Sequence, residues 1–542
     1  MIKNKVLFLL MTLVLVVTLA AGCNNGDKND TAIEGSEKVL RHNHGEEPES
    51  IDPALNTTVD GGSIVIACFE GLTSLDENDQ PVAGVAESWD VNEDKTLYTF
   101  YLRKDAKWSD GQPVTAYDFD YAWKRALHPD TAAEYAYQLF YIKNSSEYNE
   151  GNAKTEDLGI KVVDEYTLEV ELNAPTPYFL ALTAYPTLFP VRRDIVETNS
   201  EQWALNPETY IGNGPFKLVE WQSKDHIKFV PNEHYWDRER VKLDAVVKTF
   251  IAEASTMLAG YEAGEIDVID SVPLNEIDNL KQTGEFQMIT QLGTYYYSFN
   301  VTRPPFDNPK VRKAFALAID REDITNKVRK SGVPATAFVA PGVPDTAAGK
   351  DFREVGGNYF PVKAQPEEAV QLLAEAGYPE GKGLPNVAIV INNNEEHQII
   401  AEVALEMWKQ NLGINNITIQ KQEWAVFVNN MQNGDFQIAR NGWVGDYNDP
   451  MTFLDLFTTG NGNNDSQWSN KEFDELINQA RMATEETERM AFLHKAEKII
   501  MEEAILAPVL HYTENAMVKP YVKGLKQSIL GFTYYDKADI VK

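Results

Sequence analysis

The sequence predicts an α/β fold, and three observations carry that reading: short segments that alternate at period two, amphipathic helices with capped N-termini, and a stretch in which strands and helices take turns. KTLYTFYLR (95–103) and YTLEVEL (166–172) alternate apolar and polar residues, with Leu168, Val170 and Leu172 on one face, so both are half-buried strands. TAYDFDYAWKRAL (115–127) opens with Thr115 and Asp118 at capping-box spacing. It then sets Phe119, Ala122, Trp123, Ala126 and Leu127 along one helical face. NPKVRKAFALAID (308–320) has Asn308 as N-cap, Pro309 at the first helical position and a stripe of Val311, Phe315, Ala318 and Ile319. QPEEAVQLLAEAG (365–377) repeats the device with Pro366 and stops at Gly377. Strand 387–391, helix 396–412, strand 416–421, helix 423–432 and strand 435–440 predict parallel α/β units. Open α/β sheets bind ligands beyond the carboxyl ends of their strands, so NGWVGDYNDP (441–450), read as the loop after the last strand, is a candidate site on topology alone.

The chain has 542 residues, 43% of them hydrophobic and 24% charged, enough for a large core and two to four domains. Its net charge of −33 repels phosphate backbones and argues against nucleic-acid binding. No repeat of fixed period and no Pro/Gly/Ser linker divides the body.

At the N-terminus Lys3 and Lys5 precede an apolar run from Val6 to Ala21, broken by Thr12 and Thr18, and then Gly22 and Cys23. The run is short for a membrane span, and the layout is that of a secretion signal. Leu19-Ala20-Ala21-Gly22-Cys23 matches a bacterial lipobox, which predicts cleavage before Cys23 and lipidation of its sulfur. Residues 1–22 are thus expected to be a lipoprotein signal peptide and residues 23–37 a polar, flexible tether, with folding from Lys38. Only Cys68 remains in the body, so no intrachain disulfide is available.

Enzyme motifs are sparse. G-x-S-x-G, G-x-x-x-x-G-K-[ST] and H-E-x-x-H do not occur. His42 and His44, beside Glu46 and Glu47, would share a strand face. Without further ligands at fixed spacing they read as solvated imidazoles, and no metal is assigned. Asp446 and Asp449 could form the carboxylate pair of a glycosidase, but Asp-x-x-Asp beside Asn and Pro is also ordinary loop composition. No catalytic residue and no cofactor is assigned. On composition alone Asp446 also reads as a loop cap, Arg440 as a strand end and His397 as a solvated helix-start histidine.

Several stretches, taken together, resemble one family. AESWDVNEDKTLYTFYLRKDAKWSDGQPVTAYDFDYAWKRAL (86–127) is similar to the signature region of the extracellular solute-binding proteins of peptide and nickel ABC importers (family 5), oligopeptide-binding subset. ESIDPA (49–54), FEGL (69–72), IGNGPFKL (211–218), AGEIDV (263–268), TYYYSFNVTRPPFDNPKVRKAFALAID (294–320) and GWVGDYNDP (442–450) follow in that family's order. The resemblance implies a two-lobed, type II periplasmic-binding-protein-like fold with an extra domain, its mixed sheets flanked by helices. Domain I would comprise 38–70, 195–297 and 510–542, domain II 71–194, and domain III 298–509.

It also implies a role: a monomeric, non-enzymatic receptor lipid-anchored outside the membrane of a Gram-positive bacterium. This receptor would capture oligopeptides and pass them to an ABC permease with its ATPase subunits. Asp446 would hold the peptide's α-ammonium, Val59, Gly442 and Trp443 would flank its backbone, and Tyr135 would line the site. Arg329, His397 and Arg440 match cationic positions for the peptide carboxylate. A fourth, arginine in the family, is Met431 here, which weakens the case for tripeptides. A cysteine common in the family is Val444, in keeping with the absence of a disulfide. The alternatives are a receptor for a murein or signalling peptide, a secreted carbohydrate hydrolase, and an adhesin or chaperone that grips unfolded chains.

Overall fold

The computed structural model describes residues 37–43, 45–347 and 349–542. The expected signal peptide, the lipobox Cys23, nearly all of the tether, and His44 lie outside the described residues.

The body begins with β1 (Val39–Asn43) and α1 (Val59–Cys68), whose N-cap Thr58 accepts from Gly61 N at 3.2 Å. A four-stranded antiparallel sheet follows, built from β2 (Ala86–Val91), β3 (Leu97–Leu102), β4 (Ile160–Asp164) and β5 (Thr167–Glu171) in the order β2-β3-β5-β4. The period-two readings hold: Leu168, Val170 and Leu172 are buried together. Between β3 and β4 lies α2 (Ala116–Leu127), where the Asp118 carboxylate accepts from Thr115 N at 2.8 Å in the expected capping box. Such a cap stabilises a helix by about 1 kcal/mol. Arg125 of α2 reaches back to Asp52 through two bonds of 2.9 and 2.5 Å, and Trp203 Nε1 adds a third at 3.0 Å, tying the N-terminal segment to this unit.

The large sheet is mixed. Its remaining strands are β6 (Phe216–Gln222), β7 (His226–Pro231), β8 (Ala245–Thr249), β9 (Val268–Ile269), β10 (Phe286–Phe299), β11 (Val387–Asn392), β12 (Ile417–Gln422), β13 (Ile438–Val444) and β14 (Leu506–Val518). The order is β12-β11-β13-β10-β14-β9-β1-β8-β7-β6, with Val333–Pro334 added onto β14. Leu292 to Phe299 of β10 are buried without a break, the mark of a central strand covered on both faces. The antiparallel β10–β14 ladder shifts register between Thr290 and Thr294 and again between Tyr295 and Tyr296.

Helices α3 (Pro309–Leu317) and α4 (Pro366–Glu375) start at their prolines as expected, and Asn308 caps α3 by accepting from Lys310 N at 3.0 Å. The parallel units are also present. α5 (Glu395–Leu412) and α6 (Trp424–Gln432) connect β11, β12 and β13, and β11 pairs parallel with both other strands. One boundary differs. The last strand runs Ile438–Val444 rather than 435–440, so Asn441 to Val444 are strand and the loop begins at Gly445. The cause is tertiary: Gly293–Phe299 of β10 pairs with β13 along its whole length, overriding the turn signal of Asn441-Gly442. α7 (Glu486–Glu502) completes the elements needed below.

Candidate functional site

A cavity of about 400 Å³ lies where these elements converge. Its wall contains the N-terminal turn of α1, the carboxyl end of β11 at Asn392, and the first turns of α5 and α6 at His397 and Trp424. Arg440 and Gly442 to Val444 of β13, Asp446, Tyr512 and Glu514 of β14, and the aromatic side chains of Tyr135, Tyr185 and Phe532 also line it. This is the position that open α/β sheets favour for ligands. The structure therefore brings together Val59, Tyr135, His397, Arg440, Gly442, Trp443 and Asp446. A second cavity of about 180 Å³ shares His397 and Tyr512 with the first and is lined by Arg329.

Asp446 is 6% exposed and sits in an aromatic box. Tyr135 stacks on Tyr185 at 5.7 Å and on Trp443 at 6.3 Å, and Tyr185 packs against Phe532. The carboxylate accepts from Gln138 Nε2 at 2.5 Å and from the Tyr185 hydroxyl. Among the described residues no cation offsets its burial. Desolvation, with a smaller push from Asp455, holds its carboxyl well above the usual carboxylate range. Such a group has a strong unmet preference for a positive partner.

At the other end the three expected cations differ from one another. Arg329 is 5% exposed and already engaged: Nε donates to Glu396 at 2.7 Å, Nη1 to Ser331 Oγ at 3.0 Å, and Nη2 to the Thr513 carbonyl at 2.6 Å. Arg440 is less committed. One Nη2 bond of 3.2 Å reaches the Tyr512 hydroxyl, its guanidinium lies 5.2 Å from the Tyr295 ring centre, and its buried Nε has no partner.

His397, which the resemblance matched to a cationic position, is half-buried on the cavity wall. Desolvation, then the charges of Arg440 and Arg329, hold its imidazole neutral, well below the ordinary histidine range, and its buried Nδ1 has no partner. Gly442 is required where it stands, since a Cβ there would lie 2.1 Å from the Tyr512 hydroxyl.

Other expectations are corrected. Met431 does not line either cavity. It is 5% exposed in an apolar cluster with Val390, Phe427, Phe436 and Ala439, so it is wall filling and not a ligand contact. Asp449 is clamped by both Nη atoms of Arg489 on α7 and accepts from Met451 N at 2.9 Å. It does not line the cavity, so Asp446 and Asp449 do not form a catalytic pair. His42 is fully buried rather than solvated, with Nδ1 2.8 Å from the Tyr535 hydroxyl and Nε2 2.7 Å from Asp270. No group of three or more metal-ligating side chains occurs among the described residues. Cys68 is a buried free thiol pushed far up by desolvation. Tyr185, Gln138 and Tyr512 escaped the sequence reading. None belongs to a periodic pattern or motif, and each reaches the site only through folding of distant segments.

The profile described as bacterial extracellular solute-binding proteins, family 5 Middle matches residues 80–465. The chain belongs to this family, and its fold is the two-lobed α/β fold of periplasmic binding proteins. It is 37% identical over 548 residues to the oligopeptide-binding protein OppA of Bacillus subtilis, covering 98% of both chains. It matches the crystal structure of Haemophilus influenzae OppA in complex with RPPGFSPFR at a TM-score of 0.86 and 33% identity, over 94% of this chain and 100% of that one. It matches a structure of the Escherichia coli murein tripeptide binding protein MppA at 0.86 and 35% identity, over 94% of this chain and 99% of that one. Against the unliganded open form of MppA the TM-score is 0.63, with 94% and 98% covered. The arrangement described here therefore departs from that open form.

Proposed function

We propose that this chain binds oligopeptides with a free N-terminus in the 400 Å³ cavity and delivers them to an ABC permease, itself performing no chemistry. The observation that carries the reading is the pairing of opposites along one cavity: a buried carboxylate without a cation at Asp446, and unpartnered buried polar atoms at Arg440 Nε and His397 Nδ1. A zwitterionic chain lying between them would neutralise Asp446 with its ammonium and use the open donors of Arg440 with its carboxylate. The exposed parts of Val59, Gly442 and Trp443 would flank its backbone. Buried polar groups without partners are rare in folded proteins, and several at one cavity point to a polar ligand.

In this reading residues 38–70, 195–297 and 510–542 with the insertion 71–194 form one side, and residues 298–509 the other. Contacts such as Gln138 to Asp446 and Gln432 Nε2 to Glu134 at 2.5 Å would then be made on closure, which the ligand stabilises. Cys23 would carry the lipid that keeps a monomeric receptor at the outer face of the cell membrane.

Native mass spectrometry of the protein beginning after Cys23, with sequencing of what dissociates, tests the proposal. The expected result is a set of short peptides with free N-termini. A single murein or signal peptide would move the assignment to a specialised receptor, and sugars alone would overturn it.

A further inference from the structure

We propose that Glu396 is a specificity-determining residue that limits the length of peptide this chain prefers, by engaging Arg329 and so withholding it from the ligand's carboxylate. The inference rests on the peptide-binding reading above and adds which carboxyl end is favoured: one that stops at Arg440 rather than one that runs on into the smaller cavity.

The two arginines line different cavities, which share His397 and Tyr512. Asp446 lines only the larger one. A chain anchored there would therefore reach the smaller cavity only across the stretch that the two have in common.

Arg329 is held on every nitrogen. Nε donates to Glu396 Oε1 at 2.7 Å, Nη1 to Ser331 Oγ at 3.0 Å and Thr513 Oγ1 at 3.3 Å, and Nη2 to the Thr513 carbonyl at 2.6 Å. Of these partners only Glu396 carries charge. The two side chains are 6% and 17% exposed, so salt and water screen the pair little. A guanidinium paired in this way has little attraction left for a second carboxylate. Glu396 also lines the smaller cavity and not the larger, so a ligand carboxylate entering there would meet like charge.

The placement of Glu396 follows from its helix. It is the second residue of α5, whose N-cap Asn394 accepts from His397 N at 3.1 Å. An acidic side chain is favoured in the first turn by the unpaired N–H groups there. The turn that carries His397 to both cavities thus presents Glu396 to Arg329. Arg440 is the contrasting case. Its Nη2 donates to an uncharged partner, the Tyr512 hydroxyl, at 3.2 Å, and its buried Nε has no partner. It can give a ligand carboxylate the charge-assisted hydrogen bonds that Arg329 already spends on Glu396.

The test is calorimetric binding of alanine peptides of two to six residues, with free and with amidated C-termini, to the unmodified protein and to Glu396→Gln. In the unmodified protein affinity should peak at one length, and one or two further residues should weaken binding about tenfold, the size of one charge-assisted hydrogen bond. Glu396→Gln should bring the longer peptides to within about threefold of the peak length. Amidation of the longer peptide should cancel that recovery, as should adding Arg329→Met, because each removes the newly available interaction. Glu396→Met also deletes the charge, makes the same prediction and serves if the glutamine variant does not fold. Equal affinity at every length in the unmodified protein overturns the inference, as does a length profile that loss of the Glu396 charge leaves intact or a recovery that survives amidation. Failure of the wider reading looks different: no alanine peptide would bind, or N-acetylated peptides would bind equally well.

Discussion

The two ends of the cavity solve the burial of charge in different ways. At one end a single carboxylate, Asp446, is held dry between tyrosines and Trp443 with no cation to balance it. At the other, Arg440 is partly free and His397 is neutral, while Arg329, in the adjoining smaller cavity, is fully engaged by Glu396 and Thr513. In the proposed function the first arrangement would select one chemical group at one place, because a cation would relieve it. The second would offer donors at more than one depth and so would suit chains that end in different places. A receptor built in that way would fix one terminus, leave the other adjustable and gain breadth without losing register.

Removing the fixed end should have the largest effect. Asp446→Asn keeps the shape of the box and deletes the charge. Affinity for short peptides, measured by calorimetry, should fall by at least about a hundredfold, since the ligand's ammonium would be buried unpaired. Near-normal binding would mean that Asp446 is not the anchor.

The adjustable end should be more forgiving. Arg440→Met should weaken binding by about tenfold, and C-terminal amidation of the peptide should then cost little more, because both changes delete the same interaction. Two fully additive losses would place the carboxylate elsewhere.

The smallest effect is that of pH. The free protein holds a proton on Asp446 above the usual carboxylate range, whereas the complex with an ammonium requires the charged form, so binding releases a proton whenever the pH lies below the raised value. Affinity should decline severalfold as pH falls below that value, and it should decline separately on the alkaline side where the peptide's own ammonium loses its proton, at about pH 8. Asp446→Asn should abolish the decline on the acid side.

Much of the fold was legible because it rests on local rules. The Thr115–Asp118 capping box, the prolines opening α3 and α4, and the alternation of Leu168, Val170 and Leu172 are short-range signals, and each is realised. The end of β13 was not legible, because Asn441-Gly442 is a turn signal that only the facing strand Gly293–Phe299 overrules. The same divide runs through the site. The segment GWVGDYNDP falls on the cavity wall, and Asp446 within it is buried there with hydrogen bonds but, among the described residues, no ion pair. Asp449, three positions on, has the same chemistry in sequence, yet Arg489 from a distant helix clamps it. Likewise, the neutrality of His397 depends on two arginines that approach only in three dimensions, and Met431 turned inward because Val390, Phe427 and Phe436 offer it an apolar bed.

The interrupted ladder between β10 and β14 has a geometric consequence. A hydrogen-bonded ribbon bends and twists more sharply where its register slips, and here the slips fall between Thr290 and Tyr296, opposite Pro508 to Thr513. Gln291 and Tyr512, from the two strands at that point, both line the cavity. The register slips therefore belong to the container wall, where the local bend they impose helps to aim Gln291 and Tyr512 into the cavity.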